Sequence, residues 1–299
     1  MSRWTDKFSY WTGTRLDDDR IVFLLGKDEM MEKQIPHTVI SMYNKGAWTA
    51  KTFPWTAIGV CWAQRPAEEL IVVGYEGHIH AGPLKQLKDE ARIDIDKDEG
   101  KVGFLKCVRN IAGRAYIGGI DRQVYRRVSG GWEAFDQGLP VGGEKEVVSI
   151  EALDGFSAKE IYGVGREGEI WRCDGKRWHR VSSPTNLILL GLHCAPDGVA
   201  YACGQVGTVL RGRGSTWELV PQKVTKEDFW DVALFKGVLY LATRNVLYAL
   251  KDDELAAVDY GDADIPFSFY RFIVSESELI TIGSKDVMRF DGQAWTRID

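Results

Sequence analysis

Six times between residue 70 and the C-terminus the chain repeats one pattern: an alternating apolar run, a short turn and a second run, followed in most copies by a tight turn and a tryptophan. The copies align as Val72-Val73-Gly74 with His78-Ile79-His80, Ile117-Gly118-Gly119 with Val124-Tyr125-Arg126, and Gly163-Val164-Gly165 with Ile170-Trp171-Arg172. They continue as Ala202-Cys203-Gly204 with Val209-Leu210-Arg211, Leu241-Ala242-Thr243 with Leu247-Tyr248-Ala249, and Thr281-Ile282-Gly283 with Val287-Met288-Arg289. The marker position, glycine in all but the Thr243 copy, steps by 45, 46, 39, 39 and 40 residues from Gly74 to Gly283. Self-similarity at about 40 residues denotes one supersecondary unit used repeatedly.

Each unit opens with a strand-like run, as in Phe104-Leu105-Lys106-Cys107-Val108 or Phe229-Trp230-Asp231-Val232-Ala233. Several close with a turn and a third run, as in Ser129-Gly130-Gly131-Trp132, Asp174-Gly175-Lys176-Arg177-Trp178, Gly212 to Trp217, and Asp291-Gly292-Gln293-Ala294-Trp295. Asp-Gly and Gly-Gly between alternating segments are hairpin chemistry, because a type I′ turn needs positive φ at both central residues. Upstream, Phe23-Leu24-Leu25-Gly26, Val39-Ile40-Ser41-Met42 and Ala47-Trp48 form a first copy with a long insertion, which brings the total to seven units. Four short antiparallel strands per unit predict an all-β fold, a seven-bladed β-propeller. The repeat runs from end to end without a linker, so residues 1–299 are expected to form one domain. The approximate blades are 1–52, 53–92, 93–140, 141–184, 185–223, 224–262 and 263–299. A helical solenoid is disfavoured, because no segment holds a 3.6-residue apolar period and 32 glycines are too many for helix interiors. Residues 8–15 serve either as the first strand of blade 1 or as an outer strand of the last blade, which would clasp the ring.

The turn-plus-tryptophan hairpins Arg172-Cys173-Asp174-Gly175-Lys176-Arg177-Trp178 and Arg289-Phe290-Asp291-Gly292-Gln293-Ala294-Trp295 resemble the repeats of bacterial propellers related to the photosystem II assembly factor family and to sialidase-type Asp-box propellers. Here the aspartate stands one residue closer to the tryptophan than in the Asp-box pattern. The Gly-His and Trp-Asp marks of WD repeats are missing, and a Gly-Gly doublet of kelch type occurs only at Gly118-Gly119. The resemblance implies the fold and no particular activity.

Composition narrows the function classes. A net charge of −5 argues against nucleic-acid binding, which needs clustered Lys and Arg to neutralise phosphates. The N-terminal residues carry no apolar signal core and no run of 18 apolar residues exists, so the expectation is a cytoplasmic protein without a membrane partner. Five cysteines with no metal-type pairing, most of them inside apolar runs, are expected to be structural thiols.

Catalytic and metal readings find little support. A sialidase-like site needs an arginine cluster with a tyrosine and a carboxylate, and the arginines near turns, Arg122, Arg166, Arg244 and Arg271, are no more than the abundance of Lys and Arg provides. His78 and His80 share a strand face but lack a third ligand. Asp94, Asp96 and Asp98 alternate as in a calcium loop, yet the glycine falls one position late and Leu105 stands where a bidentate glutamate belongs, so the stretch through Gly100 is expected to be a solvated loop. Neither a catalytic residue, a cofactor nor a metal is expected.

Binding remains. In a propeller, the connections between blades share an end with the turns joining second and third strands, and loops on a stable scaffold carry function. Aromatic side chains mixed with charges in those segments mark the expected partner-binding residues: Trp55, Arg122, Arg166, Trp230, Tyr260, Asp262, Asp264, Phe267 and Arg271. Trp230, Phe269 and Tyr270 fit equally well as core residues between blades. The blade 1 insertion, Lys27 to Pro36 with adjacent Met30 and Met31, is either an adaptable contact surface or a solvated loop. The resulting expectation is a non-catalytic protein-binding propeller, in its most concrete version an immunity-type protein whose acidic ring caps and inhibits a basic toxin or effector domain. The alternative is a glycan-binding or glycan-cleaving propeller of sialidase type.

Overall fold

The computed structural model describes residues 4–95, 103–143, 146–261 and 264–299. It holds seven sheets of four antiparallel strands, each a meander in sequence order, and the fold is an all-β seven-bladed propeller. Blade 1 is built from Phe8–Arg15, Arg20–Lys27, Thr38–Asn44 and Ala47–Phe53. The first strands of the following blades begin at Ala57, Leu105, Ile150, Leu189, Asp231 and Arg271.

The strand sequences follow from where each strand sits. Second strands are covered on both faces and read as continuous apolar runs: Arg20–Lys27 is buried at every residue but its two ends, and Glu69–Gly74 throughout. Fourth strands are largely exposed and mix polar with apolar residues, as in Ala47–Phe53 and Thr216–Leu219. Apolar packing therefore concentrates between consecutive sheets on their inner strands.

The chain divides into two compact units. The first comprises Met1–Thr56, Cys203–Val209 and Val220–Asp299. Its core has one cluster of Tyr10, Phe23 and Leu25 with Ile280, Ile282 and Val287, and another of Phe235, Tyr240 and Leu247 with Phe269, Phe272 and Leu279. The second comprises Ala57–Ala202 and Leu210–Leu219. In it Trp178, 1% exposed, packs with Ile111, Tyr116, Phe135 and Ile150, and its indole N–H donates to the Phe135 carbonyl at 2.7 Å. The repeated tryptophan thus binds the outer strand of blade 4 to the blade before it.

Within the first unit, blades 1 and 7 meet without exchanging a strand. Phe8–Arg15 pairs with Arg20–Lys27, and the last sheet is complete from Arg271 to Arg297. One backbone bond, from the Tyr10 N–H to the Ser284 carbonyl at 3.0 Å, and several side chains make the junction: the Lys285 ammonium donates to the Thr5 and Phe8 carbonyls, each at 3.0 Å, and pairs with Asp28, while Arg15 pairs with Glu278. Of the two closures open in the sequence, this is packing of one continuous blade on another.

Two local features differ from the sequence reading. The turns at Asp174-Gly175 and Asp291-Gly292 have positive φ only at the glycine. The aspartate instead accepts N–H groups ahead of it: Asp174 from Lys176 and Arg177, both at 2.9 Å, and Asp291 from Gln293 and Ala294 at 2.7 and 2.8 Å. This is side-chain turn chemistry, which makes the second positive φ unnecessary. The second difference is a short helix, Asp28–Glu32, within the blade 1 insertion.

Candidate protein-interaction surface

Among the described residues, the large apolar side chains left in water gather at one end of their sheets. Among the described residues the exposed large hydrophobics are Met31, Ile35, Val206, Val224, Ile265 and Phe267 in the first unit, and Val141, Val147 and Leu219 in the second. Met31, Ile35 and Val206 lie between second and third strands. Val141, Val147, Val224, Ile265 and Phe267 lie in connections from a fourth strand to the next first strand, and Leu219 is the last residue of a fourth strand. In a four-stranded meander the second turn and the end of the fourth strand fall at the same end of the sheet. The turns at the opposite end, between first and second or third and fourth strands, hold none of these side chains.

The loop that carries Phe267 is clamped from below. Asp286, 1% exposed, accepts the Phe267 N–H at 3.2 Å and the Ser268 hydroxyl at 2.6 Å. Arg297 links Asp286, Asp264 and Asp299. Burial opposes the Arg297 charge, but the surrounding carboxylates outweigh it and raise its pKa. Tyr260 stacks on Phe269 and leans on Trp295 at 5.1 Å, and its hydroxyl pKa is raised by burial and then by Asp286. The result is a fixed backbone with Phe267 65% exposed above it.

A second loop in the same unit is held in a comparable way. The Gln222 amide donates to the carbonyls of Gly207 and Thr225 and accepts the N–H groups of Val224 and Thr225, while Asp228 accepts the Val206 N–H at 2.9 Å. Two valines, Val206 and Val224, are left facing water. In the second unit an open cleft of about 430 Å³ lies at the corresponding end of blade 4, lined by Glu167, Glu169, Arg180, Ser183 and Thr185.

No family model matches the chain. It is 39% identical over 299 residues to "Immune protein Tsi7" of Pseudomonas aeruginosa, covering 98% of this chain and 97% of that protein. The chain belongs to the Tsi7 immune-protein family. It is thus an immunity-type propeller protein, and family membership together with the fold supports a protein partner. Among solved structures, the WD40 propeller domain of Doa1 superposes with a TM-score of 0.69 at 13% identity, covering 96% of this chain and 93% of that one. YCF48 bound to D1 peptide gives 0.59 at 12%, covering 81% and 80%. At such identities these structures share the fold alone, and they agree with the fold-level resemblance to photosystem II assembly factor propellers.

In this Tsi7-family chain the residues expected from sequence fall into three groups. Phe267 is exposed, and Asp264 is exposed but paired with Arg297. Trp55, Arg166, Trp230, Tyr260 and Arg271 are half-buried: Trp55 stacks on Phe53, Arg166 faces Glu151 at 3.6 Å, and Arg271 donates to the Trp230 carbonyl, which brings those two together. Arg122 is different. It is 6% exposed, bound to Glu169 through two nitrogens and seated over the Trp171 ring, so its guanidinium is committed to the fold. Asp262 lies outside the described residues, as does the 96–100 part of the calcium-like stretch.

Sequence reasoning missed Val206, Val224, Val141, Val147 and Ile265, because it searched loops for aromatic and charged residues. No cluster of three or more His, Cys, Asp or Glu suited to a metal occurs among the described residues. His80 is buried against Asp89 at 2.7 Å. The cysteines form no disulfide, and burial pushes the Cys61 thiol up to about 12, which suits a structural role. No helix among the described residues is long and apolar enough to cross a membrane.

Proposed function

We propose that this chain is a non-catalytic immunity protein that binds a toxin domain with the second-to-third-strand turns and interblade connections of its sheets, and inhibits it by covering its active site. The single observation that carries the reading is that, among the described residues, every exposed large apolar side chain lies in those connections or, for Leu219, at the strand end that leads into one. Solvated loops gain nothing from such residues, whereas an interface centre needs apolar area free of competing charge. Side-chain clamps beneath the Phe267 and Val224 loops favour binding further, because little conformational freedom remains to be lost. Membership of the Tsi7 family supplies the immunity context.

The expected contact set is Trp55, Arg166, Trp230, Tyr260, Asp262, Asp264, Phe267 and Arg271, with the exposed valines added. The net charge of −5 suits a basic partner domain, which it would attract from a distance. Action in the cytoplasm, on a toxin that reaches it, fits this reading. The test is co-purification of the chain with the toxin domain encoded beside its gene, followed by an assay of that toxin's activity with increasing amounts of the chain. Stoichiometric inhibition supports the reading. Turnover of a sugar by the chain itself would move it to the glycan-cleaving class.

A further inference from the structure

The turn between the second and third strands of blade 5, Gln205–Gly207, places Val206 at φ 54 and ψ 37. This is the left-handed region, where Cβ crowds the backbone and a β-branched residue is rarely found. Blade 4 uses the same turn, Arg166–Gly168, with Glu167 at φ 56 and ψ 27, so the conformation belongs to the turn and the valine does not create it. Glycine or asparagine would fit it with less strain.

The valine does not serve the core. Its side chain is 50% exposed, so packing returns little for the strain. The turn is nevertheless held firmly. Asp228 takes the Val206 N–H, Gln222 takes the Gly207 carbonyl, and a Cβ at Gly207 would lie 2.6 Å from the Thr225 carbonyl oxygen, so the turn is pressed against the loop that displays Val224. A strained, solvent-facing apolar residue on a fixed support is an outlier of the kind that clusters at functional positions.

We propose that Val206 is a specificity-determining anchor for the toxin domain: together with Val224 on the loop held against its turn, it supplies an apolar knob that enters an apolar depression on the toxin. This inference rests on the function proposed above and assigns to blade 5 a contact that aromatic side chains do not make.

The test uses the full chain and the toxin domain encoded beside its gene, with affinity measured by calorimetry and stability by thermal melting. Val206→Asn removes both the strain and the apolar knob. The expected result is a melting temperature higher by about 2 °C and an affinity at least about tenfold weaker. Val206→Thr keeps the β-branch and replaces a methyl by a hydroxyl, so affinity should fall while the melting temperature stays put. Affinity within about twofold of wild type for both variants would overturn the inference, and a simultaneous loss with Phe267→Ser would show that the broader reading survives it. Failure of the wild-type chain to bind the toxin domain would count against both.

Discussion

The buried carboxylate of Asp286 accepts the backbone N–H of Phe267 at 3.2 Å, so a carboxylate beneath the loop holds the backbone that displays an exposed aromatic ring above it. The same carboxylate holds the Ser268 hydroxyl and Arg297. Asp286→Ala should therefore cost about 3 kcal/mol of stability, because Arg297 loses a buried partner and the loop donors are left unpaired. A urea midpoint measures the first effect. Affinity for the toxin domain, measured on the folded fraction, should fall as well, since Phe267 is no longer held in place.

Phe267→Ser separates binding from folding. The ring is 65% exposed and contributes little to the core, so stability should change by no more than about 0.5 kcal/mol. Affinity for the toxin domain should drop by about tenfold or more, roughly 1.4 kcal/mol. Calorimetric titration checks both halves of the prediction.

Arg122→Ala should behave in the opposite sense. Its removal strands Glu169, 3% exposed, without its main cation and should destabilise the fold by about 3 to 5 kcal/mol. Partner affinity per folded molecule should remain near wild type. Thermal melting and a titration on the same sample test this.

Acid should act on the second unit through Asp154, which accepts the Cys194 N–H at 2.9 Å and faces Arg109 and His193 at 3.1 and 3.6 Å. Burial alone would raise its pKa, but the Arg109 charge, the His193 contact and the Cys194 N–H outweigh burial and bring it down to about 2. A carboxyl depressed in the folded state contributes stability that is fully present above its unfolded value near 3.9 and is lost as pH falls toward 2. The contribution is on the order of 2 kcal/mol. Asp154→Asn should flatten that part of the stability curve when urea midpoints are followed from pH 6 to pH 2.

The fold was legible because its period is written in residues that geometry requires. The marker glycines recur with the sheets, and the apolar runs are longest where second strands are covered on both faces, as at Leu70 to Val73. The site was only partly legible. Phe267 could be placed in an interblade connection from the repeat, but whether Arg122 points to a partner or to Glu169 depends on a carboxylate 47 residues away, which no local pattern encodes. Val206 was hidden for a related reason. Its significance is its backbone conformation and exposure, and valine between apolar strands reads in sequence as one more core residue.

The most direct measurement of the central claim compares two variants in one titration against the toxin domain encoded beside the gene. Val224→Asp combined with Phe267→Asp alters the proposed binding end, while Lys176→Glu alters a third-to-fourth-strand turn at the opposite end of its sheet. The first variant, folded by circular dichroism, should no longer bind or protect, and the second should do both like wild type. Retained binding by the first variant together with loss in the second would contradict the claim.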